Sequence, residues 1–68
     1  MHKKIEDTIQ QARIAFDLKI VTEEERQGIE VVVYSKYDSL LGRIFLWRKE
    51  GDLGRTIKKL RDFLVGFT

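Results

Sequence analysis

Gly28-Ile29-Glu30-Val31-Val32-Val33-Tyr34 is the stretch on which the fold turns, and Arg43-Ile44-Phe45-Leu46-Trp47 repeats its pattern. In the first, Ile29, Val31 and Val33 alternate with Glu30, Val32 and Tyr34; in the second, Ile44 and Leu46 alternate with Phe45 and Trp47. Successive side chains of a strand point to opposite faces, so both runs are apolar on both faces of one sheet. A chain of 68 residues can cover one of those faces with its own helices. The surplus face predicts a partner.

Ile29 to Tyr37 reads as a strand, rich in β-branched and aromatic residues. Asp38-Ser39-Leu40-Leu41-Gly42 reads as the following turn and Arg43 to Lys49 as the next strand. Lys49-Glu50-Gly51-Asp52 supplies a second turn, ending on an acid suited to cap a helix. Leu53, Ile57, Leu60, Leu64 and Phe67 then recur at i, i+4, i+7, i+11 and i+14, one stripe of an amphipathic helix. Upstream, Ile5, Ile9, Ala12 and Phe16 form a second helical stripe, with Glu6 and Asp7 in the first turn where carboxylates favour the positive end of the helix dipole.

From Ile14 the pattern also alternates, with Ile14, Phe16, Leu18 and Ile20 on one side. The sequence therefore predicts that the helix ends between Ala12 and Ala15 and that a strand starts near Phe16. A single long helix to about Gln27, with Gly28 beyond its end, is the alternative and would give α-β-β-α. Thr22 to Gly28 is expected to be a polar loop, or one helical turn capped by Thr22 with Glu25 at N3, because three successive glutamates repel one another.

The fold class that follows is α+β: one small domain over residues 1–68, α-β-β-β-α, with a three-stranded antiparallel meander and both helices on one face. The inner face is expected to carry Phe16, Leu18, Ile20, Ile29, Val31, Val33, Ile44 and Leu46. The outer face then carries Val32, Tyr34, Phe45 and Trp47, set among Lys19, Lys36, Arg43 and Arg48. Inverting the third strand would instead turn Phe45 and Trp47 inward.

Composition narrows the function. The chain has no cysteine, which removes disulfides and the common zinc frameworks, and its one histidine is His2. Nucleophilic catalysis of the Ser-His or Cys-His kind has no parts here, and no catalytic residue, metal site, cofactor or small-molecule substrate is expected. Gly51-Asp52-Leu53-Gly54-Arg55 lacks the Gly-Lys-Ser or Gly-Lys-Thr ending of a phosphate loop. No apolar run approaches the length of a membrane span, and Met1-His2-Lys3-Lys4-Ile5-Glu6-Asp7 has no apolar signal core, so a cytoplasmic chain with no membrane partner is expected. Residues 1–30 hold five cations and seven anions, whereas residues 31–68 hold eight cations and four anions.

These features predict a non-enzymatic protein-binding module. Tyr, Trp, Phe and Arg are enriched at interface cores, and a contiguous apolar patch marks a binding surface. The anchors are Tyr34, Phe45 and Trp47, with Val32 beside them on the binding face and Arg43 and Arg48 bonding at the rim. The partner is a second copy, which would also support a small core, or a larger target protein on which the chain docks as an inhibitor or adaptor. That build is common among accessory proteins of phages and other mobile elements. The alternative is a nucleic-acid binder using Lys36, Arg43, Arg55, Lys58 and Lys59, with Arg61 to the side and Asp62 among the last-helix cations. The element order is similar in topology to the double-stranded-RNA-binding domain. That family starts its last helix with a lysine-rich motif, where this chain has Asp52-Leu53-Gly54-Arg55-Thr56, and Lys58-Lys59 follow a turn later. The histidine which that family holds in the loop before its final strand is also missing, so the likeness implies topology alone.

Overall fold

The computed structural model describes residues 1–49 and 52–67. Their order is α1 (Lys3–Phe16), β1 (Lys19–Glu25), β2 (Gly28–Tyr34), β3 (Leu40–Trp47) and α2 (Leu53–Val65). The three strands form one antiparallel sheet in the order β1-β2-β3, so β2 is central and the other two are edges. This is the expected α-β-β-β-α meander. The long-helix alternative is excluded, because residues beyond Phe16 turn and enter β1.

Both helices lie against one face of the sheet. Ile5, Ile9 and Ala12 of α1 and Ile57, Leu60 and Leu64 of α2 close over Ile20, Ile29, Val31, Val33 and Leu46, and these residues form the buried core. Burial of this much apolar area is the main stabilising term of so small a domain. The helical stripes set which side chains face inward, and the two-residue period of the strands does the same for the sheet. Asp52 caps α2 by accepting from the Arg55 backbone N–H at 2.9 Å. His2 caps α1 through Nδ1, which accepts from Lys4 N–H at 3.1 Å.

Four boundaries differ from the sequence expectation. First, α1 continues to Phe16 and is stopped by Asp17, which adopts the left-handed conformation (φ 53°) at the C-cap. Phe16 and Leu18 are thus not strand residues; Phe16 is the last helical residue and Leu18 lies in the connection, both packed against the core. Glycine is the usual residue at such a position, and an L side chain there pays a local strain. Asp17→Gly is expected to raise stability by up to about 1 kcal/mol, read as a higher urea midpoint, because its exposed pairing with Lys36 at 4.0 Å contributes little.

Second, Thr22 to Glu25 belong to β1, and the loop shrinks to Arg26-Gln27 between the paired residues Glu25 and Gly28. Three glutamates fit in a strand because alternation separates them: Glu23 and Glu25 share one face and Glu24 takes the other. Glu24 pairs with the amino group of Met1. That amino group hydrogen-bonds and attracts the Glu24 carboxylate and so holds its pKa below the ordinary value, with Arg48 adding a smaller attraction. The lowered folded value makes this pair's stabilisation complete above the ordinary glutamate pKa and lost as pH falls through the folded one. Acid titration is therefore expected to loosen the start of α1 first, and Glu24→Gln to flatten that dependence in the amide shifts of residues 3–5.

Third, β2 ends at Tyr34 rather than Tyr37. The turn spans 35–39, with Ser35 Oγ accepting from Tyr37 N–H and Ser39 N–H (both 3.2 Å) and Asp38 left-handed at φ 65°. Fourth, β3 begins at Leu40 and ends at Trp47, because an irregularity at Val33/Tyr34 moves the pairing from Val33–Gly42 to Tyr34–Leu40 and leaves Leu41 over. Of the expected 49–52 turn, Glu50 and Gly51 lie outside the described residues.

At the β1 edge, the Arg13 guanidinium of α1 donates to the Ile20 carbonyl twice, at 2.6 and 3.3 Å. At the β3 edge, the Lys59 amine of α2 reaches the Phe45 carbonyl at 3.5 Å. Each helix is thereby tied to the strand beneath it by a cation on a backbone oxygen.

Candidate interaction surface

The pairing register places the outer-face residues in four rows. They are Lys19–Tyr34–Leu40, Val21–Val32–Arg43, Glu23–Glu30–Phe45 and Glu25–Gly28–Trp47. Ile44 and Leu46 face the helices, so Phe45 and Trp47 point outward, as in the first of the two predicted registers. The described residues of this chain place no element over that face.

Its apolar members form one patch. Phe45 and Trp47 meet edge to face with ring centroids 4.6 Å apart. They lie on the same face of β3 two residues apart, and Gly28 opposite Trp47 leaves room for the Phe45 ring to lean across β2. Val32, Tyr34 and Phe45 are half-buried by their neighbours alone, whereas Trp47 is 46% exposed, Val21 55% and Leu40 63%. A shallow depression beside Trp47 is lined by Arg26, Gln27 and Lys49. Large apolar side chains left in water at this density carry an unfavourable hydration term that a partner would remove.

Charge on the face is divided along the strands. Glu23 and Glu30 stand directly opposite each other on β1 and β2, and Glu25 follows one row on. Like charges so placed are mutually destabilising. Arg43 lies toward the other end of the face and, among the described residues, has no ion-pair partner in the chain itself. Lys19, at that same end, is held by Asp38 at 2.6 Å.

The predicted anchors Tyr34, Phe45 and Trp47 therefore share one surface with Val32, and Arg43 lies among them. Arg48 lies just past β3, where its guanidinium donates to the Glu25 carbonyl (3.1 Å) and its N–H to the Gln27 carbonyl (3.0 Å), so it fastens the hairpin end beneath Trp47. The nucleic-acid set is dispersed. Arg43 is on the outer sheet face and Lys36 is in the 35–39 turn, 5.3 Å from the Tyr37 ring centre. Arg55 and Lys58 are exposed on α2 in the opposite layer, and Lys58 pairs with Asp62 at 3.6 Å. Lys59 does not share their outer surface as the helical wheel suggests, but is half-buried toward Phe45 of β3.

Val21, Leu40, Glu23, Glu25 and Glu30 complete the surface and were not among the predicted site residues. Continuing the Lys19–Val21 alternation through the glutamates would have found three of them; Leu40 was hidden in the supposed turn. No family model, curated protein or solved structure matches this chain at a significant level.

Proposed function

We propose that this chain is a non-enzymatic protein-binding module that acts through the outer face of its sheet. The observation that carries the proposal is the Val21–Val32–Phe45–Trp47 patch, which is aromatic-rich and partly exposed on the side away from both helices. Interfaces concentrate their binding energy in such aromatic anchors, with arginine beside them. The acidic row Glu23–Glu30 would repel phosphate, which favours protein over nucleic acid at this face.

Because the chain lacks cysteine, a benzophenone placed on Val21→Cys labels this face alone. In an extract of cells expressing the chain, irradiation is expected to give a discrete protein adduct, whereas the same label on Lys58→Cys gives none of it. Trp47→Ala should weaken the underlying binding about thirtyfold, a loss of about 2 kcal/mol, and should change the unfolding midpoint little because Trp47 is half-exposed. Binding should fall much less with salt than a phosphate contact would. A nuclease-sensitive adduct, binding that falls steeply with salt, or an adduct indifferent to Trp47→Ala would overturn the proposal.

A further inference from the structure

We infer that the partner on the outer face is a second copy of the chain, stacked face to face about a two-fold axis that runs across the strands; this rests on the proposed binding role of that face. The face is complementary in charge to itself. Within its four rows the acids, Glu23, Glu25 and Glu30, lie at one end and the cations, Lys19 and Arg43, at the other, with Asp38 on Lys19 and with Arg26 and Lys49 beside Trp47 past the acid end. A surface polarised in this way is self-complementary only when the two copies run in opposite directions.

Two in-plane axes stack identical sheets with their strands aligned. An axis along the strands, over β2, sets each residue of β2 against its own twin. Glu30 would then meet Glu30 in a desolvated apolar contact, adding to the repulsion each already has from Glu23. An axis across the strands, passing between the Val32 row and the Glu30 row, exchanges the ends. The Val21–Val32–Arg43 row of one copy falls on the Glu23–Glu30–Phe45 row of the other, and Lys19 falls on Glu25.

Arg43 of each copy then lies over the Phe45 ring of the other, one strand spacing (about 5 Å) from its Glu30. A guanidinium so placed both stacks on the aromatic face and pairs with the carboxylate. Leu40 of one copy falls over Trp47 of the other. The arrangement is isologous, so each contact is made twice and the pair is closed. It gives Arg43 and Glu30, which have no ion pair among the described residues of one chain, a partner each.

The test is a charge exchange on the full chain, with solution mass measured by light scattering from about 1 to 100 µM, a range that spans micromolar Kd values. The unaltered chain should move toward twice its single-chain mass. Arg43→Glu and Glu30→Arg should each raise Kd at least about tenfold, with far-UV spectra unchanged, since Arg43 is exposed and Glu30→Arg relieves the Glu23–Glu30 repulsion. Mixing the two variants should restore the pair, because each then offers the charge the other lacks.

Arg43→Ala, which adds no new charge, should show an intermediate loss. A single-chain mass at every concentration, a pair indifferent to both reversals, or variants that stay apart when mixed would overturn the inference. The Val21→Cys label separates this from the broader proposal. Adducts between two copies are expected; an adduct with a different protein alone overturns the second copy and leaves the face as a binding surface; no adduct overturns both.

Discussion

Leu60→Ala is expected to cost the domain a third or more of its stability at 25 °C. Leu60 is fully buried (0% exposed) in the middle of α2, within the cluster that includes Val31, Val33, Ile9 and Leu64. Truncating a leucine at such a site removes its transfer free energy and leaves a cavity that rigid neighbours fill only in part, a loss of about 3–5 kcal/mol. The whole domain has about 3–10 kcal/mol to lose, at the usual stability per residue. The loss therefore takes up a third or more of the total. Urea unfolding followed by Trp47 fluorescence measures it, and Ile14→Ala, at an exposed position on α1 (75% exposed), provides the contrast with an expected change within about 0.5 kcal/mol.

Gly28→Ala should be nearly as damaging, by a different route. A Cβ at Gly28 would stand 2.2 Å from the Leu46 carbonyl oxygen and 2.8 Å from Cε2 of Phe45. The ring can turn aside, but the carbonyl belongs to the backbone of β3 and moves only if the β2–β3 ladder opens at that point. Overpacking against fixed atoms costs about 1–3 kcal/mol and at times more, and here the strand that must shift carries both Phe45 and Trp47. Loss of stability and loss of partner binding are therefore expected together. Gly42 gives the comparison: its Cβ would meet Cζ of Phe67 at 2.9 Å, the far end of a side chain past the last helical residue. Phe67 can swing away, so Gly42→Ala should cost less than about 1 kcal/mol. Equal effects at the two glycines would contradict this account.

The element order and the inner face were legible because period and chemistry agree there. Ile29, Val31 and Val33 have no other way to be buried together, and the α2 stripe from Leu53 to Leu64 admits only a helix. The end of α1 was not legible, because the stop is an aspartate in a left-handed conformation and a reader of sequence looks for glycine. The Glu23-Glu24-Glu25 run misled for another reason. Three adjacent glutamates in sequence imply mutual repulsion, while the pleat of an edge strand sends the middle one to the opposite face, against the Met1 amine.

The surface anchors Tyr34, Phe45 and Trp47 could be named from alternation alone. Glu30 belongs to that same alternation, whereas Glu23 and Glu25 join the face because β1 runs on through the glutamates to the two-residue Arg26-Gln27 connection. Tertiary placement also decided Lys59: helical spacing puts it with Arg55 and Lys58, but its long stem lets the amine reach back to β3.

The Arg13 fork on the Ile20 carbonyl bears on how this small protein behaves when crowded. A naked strand edge is a template on which further strands can add without limit, the route to fibrils. On β1 the Ile20 carbonyl is already occupied, and a parallel, in-register copy of this edge would set its glutamates against Glu23, Glu24 and Glu25. A fourth strand is thereby disfavoured on this side, and growth of the kind that seeds fibres loses one of its hydrogen-bonding positions along β1.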